Sequence, residues 1–273
     1  MRTFVFFSVF FALFHINGVC ADKDVKYEHR NKHLILSDGE RSLFWFYTIH
    51  TESAENPIFN EIELKIDEFC PDVVFVEGGC NRRRDTTNAD AIKNGESSFA
   101  SFYAKSKGIL VKDIEPPFED QLRYLKPKYS TESILAFYIV RQIGSVQLAG
   151  NVRKLSLEQI MKGMMNDLVK GGLVIDSTLL GFDRLLEVVN LNISKKIDST
   201  NWEGSKMYKE YASNYRRGNN ALQNIYKEIV SYRNNYLVSL LEKSKNEYKR
   251  IFIVMGNAHL TETKDSLIKL YKN

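Results

Sequence analysis

The chain has 273 residues, 44% of them hydrophobic and 26% charged, with a formal net charge of +4. This length and apolar content suit a protein with a sizeable core and exclude a disordered or low-complexity chain. The charge excess is small, the basic residues are scattered and no recognised nucleic-acid motif is present, so no nucleic-acid partner is expected.

Arg2 and the apolar run Phe4 to Ile16, broken mainly by Ser8 and His15, read as a targeting segment. The run is shorter than the roughly 20 residues that span a bilayer. Val19-Cys20-Ala21 before Asp22 fits a small-residue cleavage pattern, so residues 1–21 are expected to be a signal peptide. Export to the periplasm or the extracellular space follows. Lipidation at Cys20 is disfavoured by its Gly18-Val19 lead-in, and an uncleaved anchor is the remaining alternative. No other stretch is long and apolar enough to cross a membrane. After cleavage Cys70 and Cys80 remain, bracketing a predicted strand over 73–77. Extended chain separates them by roughly 30 Å against a disulfide reach of about 7 Å, so no bridge between them is expected. Cys80 reads as a structural free cysteine, or as a thiol ligand or nucleophile near the strand ends.

Leu34 to Leu36 and Leu43 to Tyr47 predict a hairpin across Ser37-Asp38-Gly39-Glu40. A helix follows from Pro57 to Glu68, with Ile58, Ile62, Leu64 and Ile66 among acids and Lys65. Pro71 opens a strand. Ser97 to Lys107 predicts a helix with Phe99, Phe102 and Tyr103 inward, capped by Gly108 before a strand ending near Ile114. This β-α-β-α-β rhythm predicts a parallel sheet. From 130 to 249 the pattern is helical: 134–143, 155–169 ended by Gly171-Gly172, 179–189, 202–215 and the long stretch 220–249. A last strand, Ile251 to Met255, must rejoin the sheet, and a helix over 264–271 closes the chain. The expected fold is α/β: a central, mainly parallel sheet with an N-terminal β-hairpin and a large helical insertion, in one domain over 22–273.

Four apolar runs end in a histidine or an acid: at His50, at Glu77, at Glu115, and at His259 after Gly256-Asn257-Ala258. In open parallel sheets ligands bind outside the carboxyl ends of the strands. The four residues are therefore candidates for one rim. On the long helix Leu222, Ile225, Ile229, Tyr236 and Leu240 share a face, and Arg233 falls on it. Two readings stay open: Arg233 snorkels at the stripe's edge, or it points at Glu77, Glu115 or a bound anion.

Three or four His and Glu ligands suit a divalent transition metal, with Mn, Co, Zn or Fe all compatible. One glutamate left unligated would serve as general base, and Arg233 would stabilise an oxyanion. Each residue also has a plainer reading. His50 is a polar residue leaving a strand. Glu115 is one loop acid among Asp113 and Glu119. Gly78-Gly79 and Gly256 give Glu77 and His259 a more functional context. Arg82-Arg83-Arg84 reads as a solvated loop or as an anion clamp beside Glu77, and His29 and His33 as surface residues.

In order along the chain these segments resemble the TraB/Tiki (GumN-like) family, within a wider group that includes erythromycin esterases and ChaN-like haem-binding proteins. Thr48-Ile49-His50 is similar to its opening GT-x-H strand, and Val74-Phe75-Val76-Glu77-Gly78 to its second, acidic strand. Arg233-Asn234 in Tyr232-Arg-Asn-Asn-Tyr236 resembles its R-D/N-x-x-M helix, and Gly256-Asn257-Ala258-His259 its G-x-x-H signature. Tyr47 stands where the family often has glycine, Tyr236 where it has methionine, and the chain stops at Asn273 soon after the helix over 264–271, where the resemblance implies a closing strand; an uncovered sheet edge or a partner such as an oligomer mate is then expected. The resemblance implies a metal-dependent hydrolase, with peptidase activity as in the Tiki branch. His50, Glu77 and His259 are then metal or catalytic residues and Arg233 a site arginine; Glu115 joins the metal set on its strand-end position alone. The expected activity is cleavage of a peptide or similar carbonyl substrate by metal-activated water, with Mn, Co or Zn as the ion. The alternatives are a peptide- or pheromone-sequestering protein, a haem- or iron-binding protein, and a small-molecule esterase.

Overall fold

A computed structural model describes residues 26–30, 33–48, 51, 53–78, 85–148, 155–212 and 220–272. The signal segment, His50, Cys80 and Arg82–Arg84 lie outside them. The chain opens with β1 (Lys26–Arg30), β2 (His33–Ser37) and β3 (Ser42–Thr48). Then come α1 (Ile58–Phe69), β4 (Val73–Val76), α2 (Asn88–Lys93), α3 (Glu96–Ser106) and β5 (Leu110–Asp113). The helical stretch holds α4 (Phe118–Leu125), α5 (Thr131–Leu148), α6 (Leu157–Lys170), α7 (Phe182–Asn192), α8 (Tyr208–Tyr211) and α9 (Ala221–Glu247). β6 (Arg250–Gly256) and α10 (Asn257–Lys272) complete it.

The six strands form one sheet in the order β1-β2-β3-β6-β4-β5. β1, β2 and β3 run antiparallel, while β3, β6, β4 and β5 are parallel neighbours. The fold is the α/β class expected from the strand rhythm, with the expected hairpin, in which Leu34 faces Trp45 and Leu36 faces Leu43. Gly39 adopts φ +94° in the turn, and Asp38 Oδ1 accepts from Arg41 N at 2.8 Å. β6 slots between β3 and β4, so its run Ile251 to Met255 is buried on both faces.

Several expectations are corrected. β1 was not expected; it pairs with β2, which makes His33 a half-buried strand residue whose ring stacks on Phe44 at 4.9 Å. β5 is not a buried strand but a half-exposed edge, with Leu110 46% exposed. Leu64 of α1 faces solvent, and Phe102 and Tyr103 of α3 are only half-buried. The helix expected over 202–215 is instead a 3-10 turn at Trp202–Gly204, a left-handed residue at Lys206 (φ +55°) and the short α8. Neither α2 nor α4 was expected.

Two apolar layers clamp the sheet. On one face Ile58, Phe59, Ile62 and Ile66 of α1 and Phe99 of α3 pack against Phe44, Phe46, Val74, Val76, Phe252 and Val254. On the other, Leu237 and Leu241 of α9 and Leu260, Leu267 and Tyr271 of α10 pack against Trp45, Phe75, Ile251 and Ile253. The helices α4 to α7 enclose a separate core with Leu222, Ile225 and Ile229 of α9. The 27 residues of α9 span about 40 Å, enough to serve both cores. The buried stripe continues through Leu237 and Leu241, with Tyr236 and Leu240 displaced to its half-buried flank. Arg233 and Asn234 interrupt it where the helix passes from one core to the other.

At the opposite end of the sheet Lys245 of α9 is buried, donating to Leu270 O at 2.7 Å and pairing with Asp38 at 3.1 Å. This joins α9, α10 and the hairpin turn. Within the helical block Gly144 lets α5 meet the start of α8: a Cβ there would stand 2.9 Å from Tyr208 N. Gly144→Ala is expected to cost about 1–3 kcal/mol from overpacking, offset by up to about 1 kcal/mol of helix propensity. The urea midpoint measures this, and a midpoint at or above wild type would show that α8 simply shifts away.

Candidate functional site

The parallel strands end at one level. Thr48 faces Gly256 in the ladder, and Val76 faces both Val254 and Asp113. The residues that follow each strand therefore emerge together: Glu77 after β4, Ile114 and Glu115 after β5, and Asn257 to His259 after β6. His50 follows β3 by two residues and lies outside the described residues. Ile114 is buried and its N–H donates to Val76 O at 3.1 Å, which carries the pairing one step further and aims Glu115 over the rim.

Arg233 crosses from α9 to meet these acids. Its Nη2 donates to Glu77 Oε1 at 2.8 Å and to Glu115 Oε1. Of the two readings of Arg233, the structure therefore has the arginine aimed at the rim. Its side chain is 9% exposed, against 20% for Glu77 and 23% for Glu115, so solvent screens the clamp weakly. Arg233 Nε is buried with no partner among the described residues. The second oxygen of each acid meets a backbone amide: Gly256 N donates to Glu77 Oε2 at 3.4 Å, and Gly78 N to Glu115 Oε2 at 3.2 Å. Gly78 adopts φ +91°, a left-handed geometry that turns its N–H towards Glu115 and that glycine accepts without strain. Space does not demand glycine at 256, since a Cβ there would sit 3.8 Å from Glu77 Oε2, an ordinary contact.

His259 sits in the first turn of α10 and is 9% exposed. Its Nδ1 lies 2.6 Å from Asn234 Oδ1, and Asn234 Nδ2 donates to Glu262 Oε2 at 2.5 Å. Because Glu262 can only accept when ionised, the amide is oriented with its oxygen towards the ring, and Nδ1–H is the donor. That assigns the lone pair to Nε2, ready for a proton, a metal ion or a substrate donor. Burial pushes the His259 pKa down to about 4, assisted by the charges of Arg233 and Arg141 and opposed by Glu77. Burial pushes Glu77 upwards, but Arg233 and His259 beside it and the Gly256 amide outweigh this and hold its carboxyl below the usual range. At neutral pH the rim thus presents an ionised Glu77 and a neutral imidazole.

Glu77, Glu115, Arg233 and His259 are therefore brought together as their strand-end and stripe positions suggested. Asn234, Glu262 and Arg141 were missed as site residues. Asn234 had a signal, because it follows Arg233 as a second polar break in an apolar stripe. Glu262 had a weak one, three residues after His259 and hence on the same helix face. Arg141 had none, since it lies in a different helix of the insertion.

A neutral imidazole nitrogen with carboxylates is a donor set that suits Zn, Mn or Co. Among the described residues no group of three or more His, Cys, Asp and Glu side chains stands close enough to hold a metal ion. Cys70 is exposed, its Sγ donating to Asp67 O at 2.9 Å, so it lies apart from the site.

Fold and rim define the chain as an α/β protein with a polar, Arg-clamped site at the carboxyl ends of four parallel strands. No family model matches it, no curated protein matches it, and no solved structure matches it.

Proposed function

We propose that the chain is an exported metal-dependent hydrolase of the TraB/Tiki kind, cleaving a peptide or similar carbonyl substrate at the rim of Glu77, Arg233 and His259. One observation carries the reading. Four residues from segments 77, 115, 233 and 259 converge on one rim, as an ionised acid, a second acid, a guanidinium and an imidazole oriented with its Nε2 lone pair available.

His259 Nε2 and His50, with one of the two glutamates Glu77 and Glu115, would hold a Mn, Co or Zn ion, since Glu77, Glu115 and His259 do not stand together as a set of three. When bound, such an ion polarises a carbonyl and acidifies water, which suits a base as weak as Glu77. Glu77 Oε2, met among the described residues by the long Gly256 contact alone, accepts the proton of the attacking water. Arg233 fixes Glu77 through Oε1 and places a positive charge beside the developing oxyanion, with Nε as an unused donor. Asn234 and Glu262 hold the imidazole in one tautomer. Glu115 accepts from the same Nη2 and so steadies the guanidinium beside Glu77.

A peptide-library digest with added Mn, Co or Zn tests this. Cleavage is expected, lost on chelation and reduced by about 10²–10⁴-fold in Glu77→Gln, the range for removing a general base. Elemental analysis should find metal in the purified protein and not in His259→Ala. Protein that holds no metal, and digests nothing with any of the three ions, would sink the reading. Peptide retained without turnover would instead make the chain a sequestering protein. A Soret band after haem titration would make it a haem binder, and turnover of p-nitrophenyl esters alone an esterase. A secreted product whose mass begins at Asp22 checks export.

A further inference from the structure

Arg233 holds two acids through one nitrogen. Nη2 carries two N–H groups, and Glu77 Oε1 and Glu115 Oε1 accept both of them. No donor on Nη2 is left for a substrate. Nε is no substitute, because it is buried, without a partner among the described residues and out of reach of solvent. The guanidinium and the two carboxylates are therefore closed on one another.

The closure answers a charge problem. Two half-buried carboxylates on one rim repel each other unless a cation stands between them. A guanidinium does this, and so does a divalent metal ion on carboxylate oxygens. Each of the four oxygens already has a donor: Nη2 on both Oε1 atoms, the Gly256 amide on Glu77 Oε2 and the Gly78 amide on Glu115 Oε2. The two amides are backbone, fixed by the end of β6 and by the left-handed turn at Gly78. Only Nη2 sits on a flexible side chain, and only Nη2 carries a charge that repels a metal. Of the four donors it is the one that gives way when a cation arrives.

We propose that Arg233 is the resident counter-ion of the rim, and that a divalent metal enters by taking one of the two glutamates from Nη2. The inference rests on the metal-dependent reading above. Loading has a second effect. It returns one N–H of Nη2, beside the acid that stays bound, and a freed N–H there is the donor a developing oxyanion needs. The metal-free rim is closed to substrate, and the exchange of guanidinium for metal opens it.

The test uses the full mature chain, stripped with EDTA and dialysed, at pH 7, with Zn, Mn or Co salts alone as probes and affinity read by calorimetry. Arg233→Met is expected to bind each ion roughly tenfold or more tightly than wild type, because a unit charge beside a divalent ion in weakly screened surroundings opposes it by at least that factor. Glu77→Gln and Glu115→Gln should both bind more weakly than wild type. Opposite signs at the two ends of one ion pair are not what a purely structural clamp would give. Wild type supplies a readout that does not depend on the stability of a variant. With arginine nitrogens isotope-labelled, the Nη2 protons of Arg233 should give a slowly exchanging NMR signal that disappears when Zn is added. Binding in Arg233→Met no tighter than in wild type, or an Arg233 signal that persists in the zinc-loaded protein, would each overturn the proposal. Uptake of no ion by either protein would remove it together with the metal reading. Uptake by Arg233→Met alone would keep the counter-ion and remove the hydrolase reading. Metal-dependent cleavage by wild type, with no gain of affinity in Arg233→Met, would do the reverse.

Discussion

Arg233→Met is expected to lower stability by about 3–5 kcal/mol at neutral pH, the cost of breaking a buried ion cluster by removing one partner. The variant leaves Glu77 and Glu115, only 20% and 23% exposed, facing each other without their shared guanidinium. Arg233→Lys should rescue only part of the loss, because both bonds leave the one nitrogen Nη2, and an ammonium has donors enough for both but sits on a side chain that is shorter than arginine's and lacks its planar head. The pH dependence carries the diagnosis. With the cation gone each carboxyl resists ionisation, so the deficit of the variant should shrink as pH falls and one acid takes up a proton. Urea unfolding at pH 7 and pH 5 measures both effects. A deficit under about 0.5 kcal/mol would place Arg233 among solvent-screened surface pairs and remove the clamp from the argument.

The second large effect is a loss of stability with acid that begins well above the carboxylate range. His259 titrates at about 4 in the folded protein against 6.5 for the free side chain. Between those values the unfolded chain binds a proton that the folded chain refuses. The stability conferred by the neutral, buried ring is fully present above pH 6.5 and is lost as pH falls towards 4, by about 3 kcal/mol in total. Glu77 acts in the same direction lower down. Its depressed pKa gives stability that is present above 4.5 and is lost as pH falls through the folded value. His259→Gln should flatten the upper part of this profile while leaving the Glu77 part. Free energies from urea titrations at pH 7, 5.5 and 4.5 decide it: a His259→Gln profile parallel to wild type would mean another group carries the acid sensitivity.

How much of this is legible in the sequence depends on how local the cause is. The ends of β3, β4 and β6 can be read from runs of β-branched and aromatic residues stopped by polar ones, because burial on both faces leaves no polar position inside the run. β1 cannot be read in that way. Lys26-Tyr-Glu-His-Arg30 has no apolar run, and its extended state comes from the free backbone edge of β2. The break at 205–207 is equally silent: periodicity suggests one helix, while Gln147 reaches over from α5 to accept from Met207 N at 2.8 Å and to donate to Trp202 O at 2.6 Å. The stripe on α9 is legible to within one residue per turn. Its exact face shifts because the helix serves two cores in succession.

The candidate site divides along the same line. Glu77, His259 and Arg233 stand out in sequence because each breaks an apolar pattern, and pattern is a property of neighbours along the chain. Glu115 stands out only by position, since β5 is an edge strand with a weak pattern of its own. Asn234 matters only through His259 and Glu262, 25 and 28 residues away in sequence.

The sequence alone determined the α/β class, the hairpin, the long helix and the polar residues that end each apolar run, since these follow from side-chain periodicity and turn chemistry along a single segment. Only the tertiary structure decided that β6 lies between β3 and β4, that one guanidinium serves both Glu77 and Glu115, and that Asn234 and Glu262 orient His259. Those depend on contacts across 25 residues of intervening chain for Asn234 and His259 and 156 for Arg233 and Glu77, and no such contact is written in a local pattern.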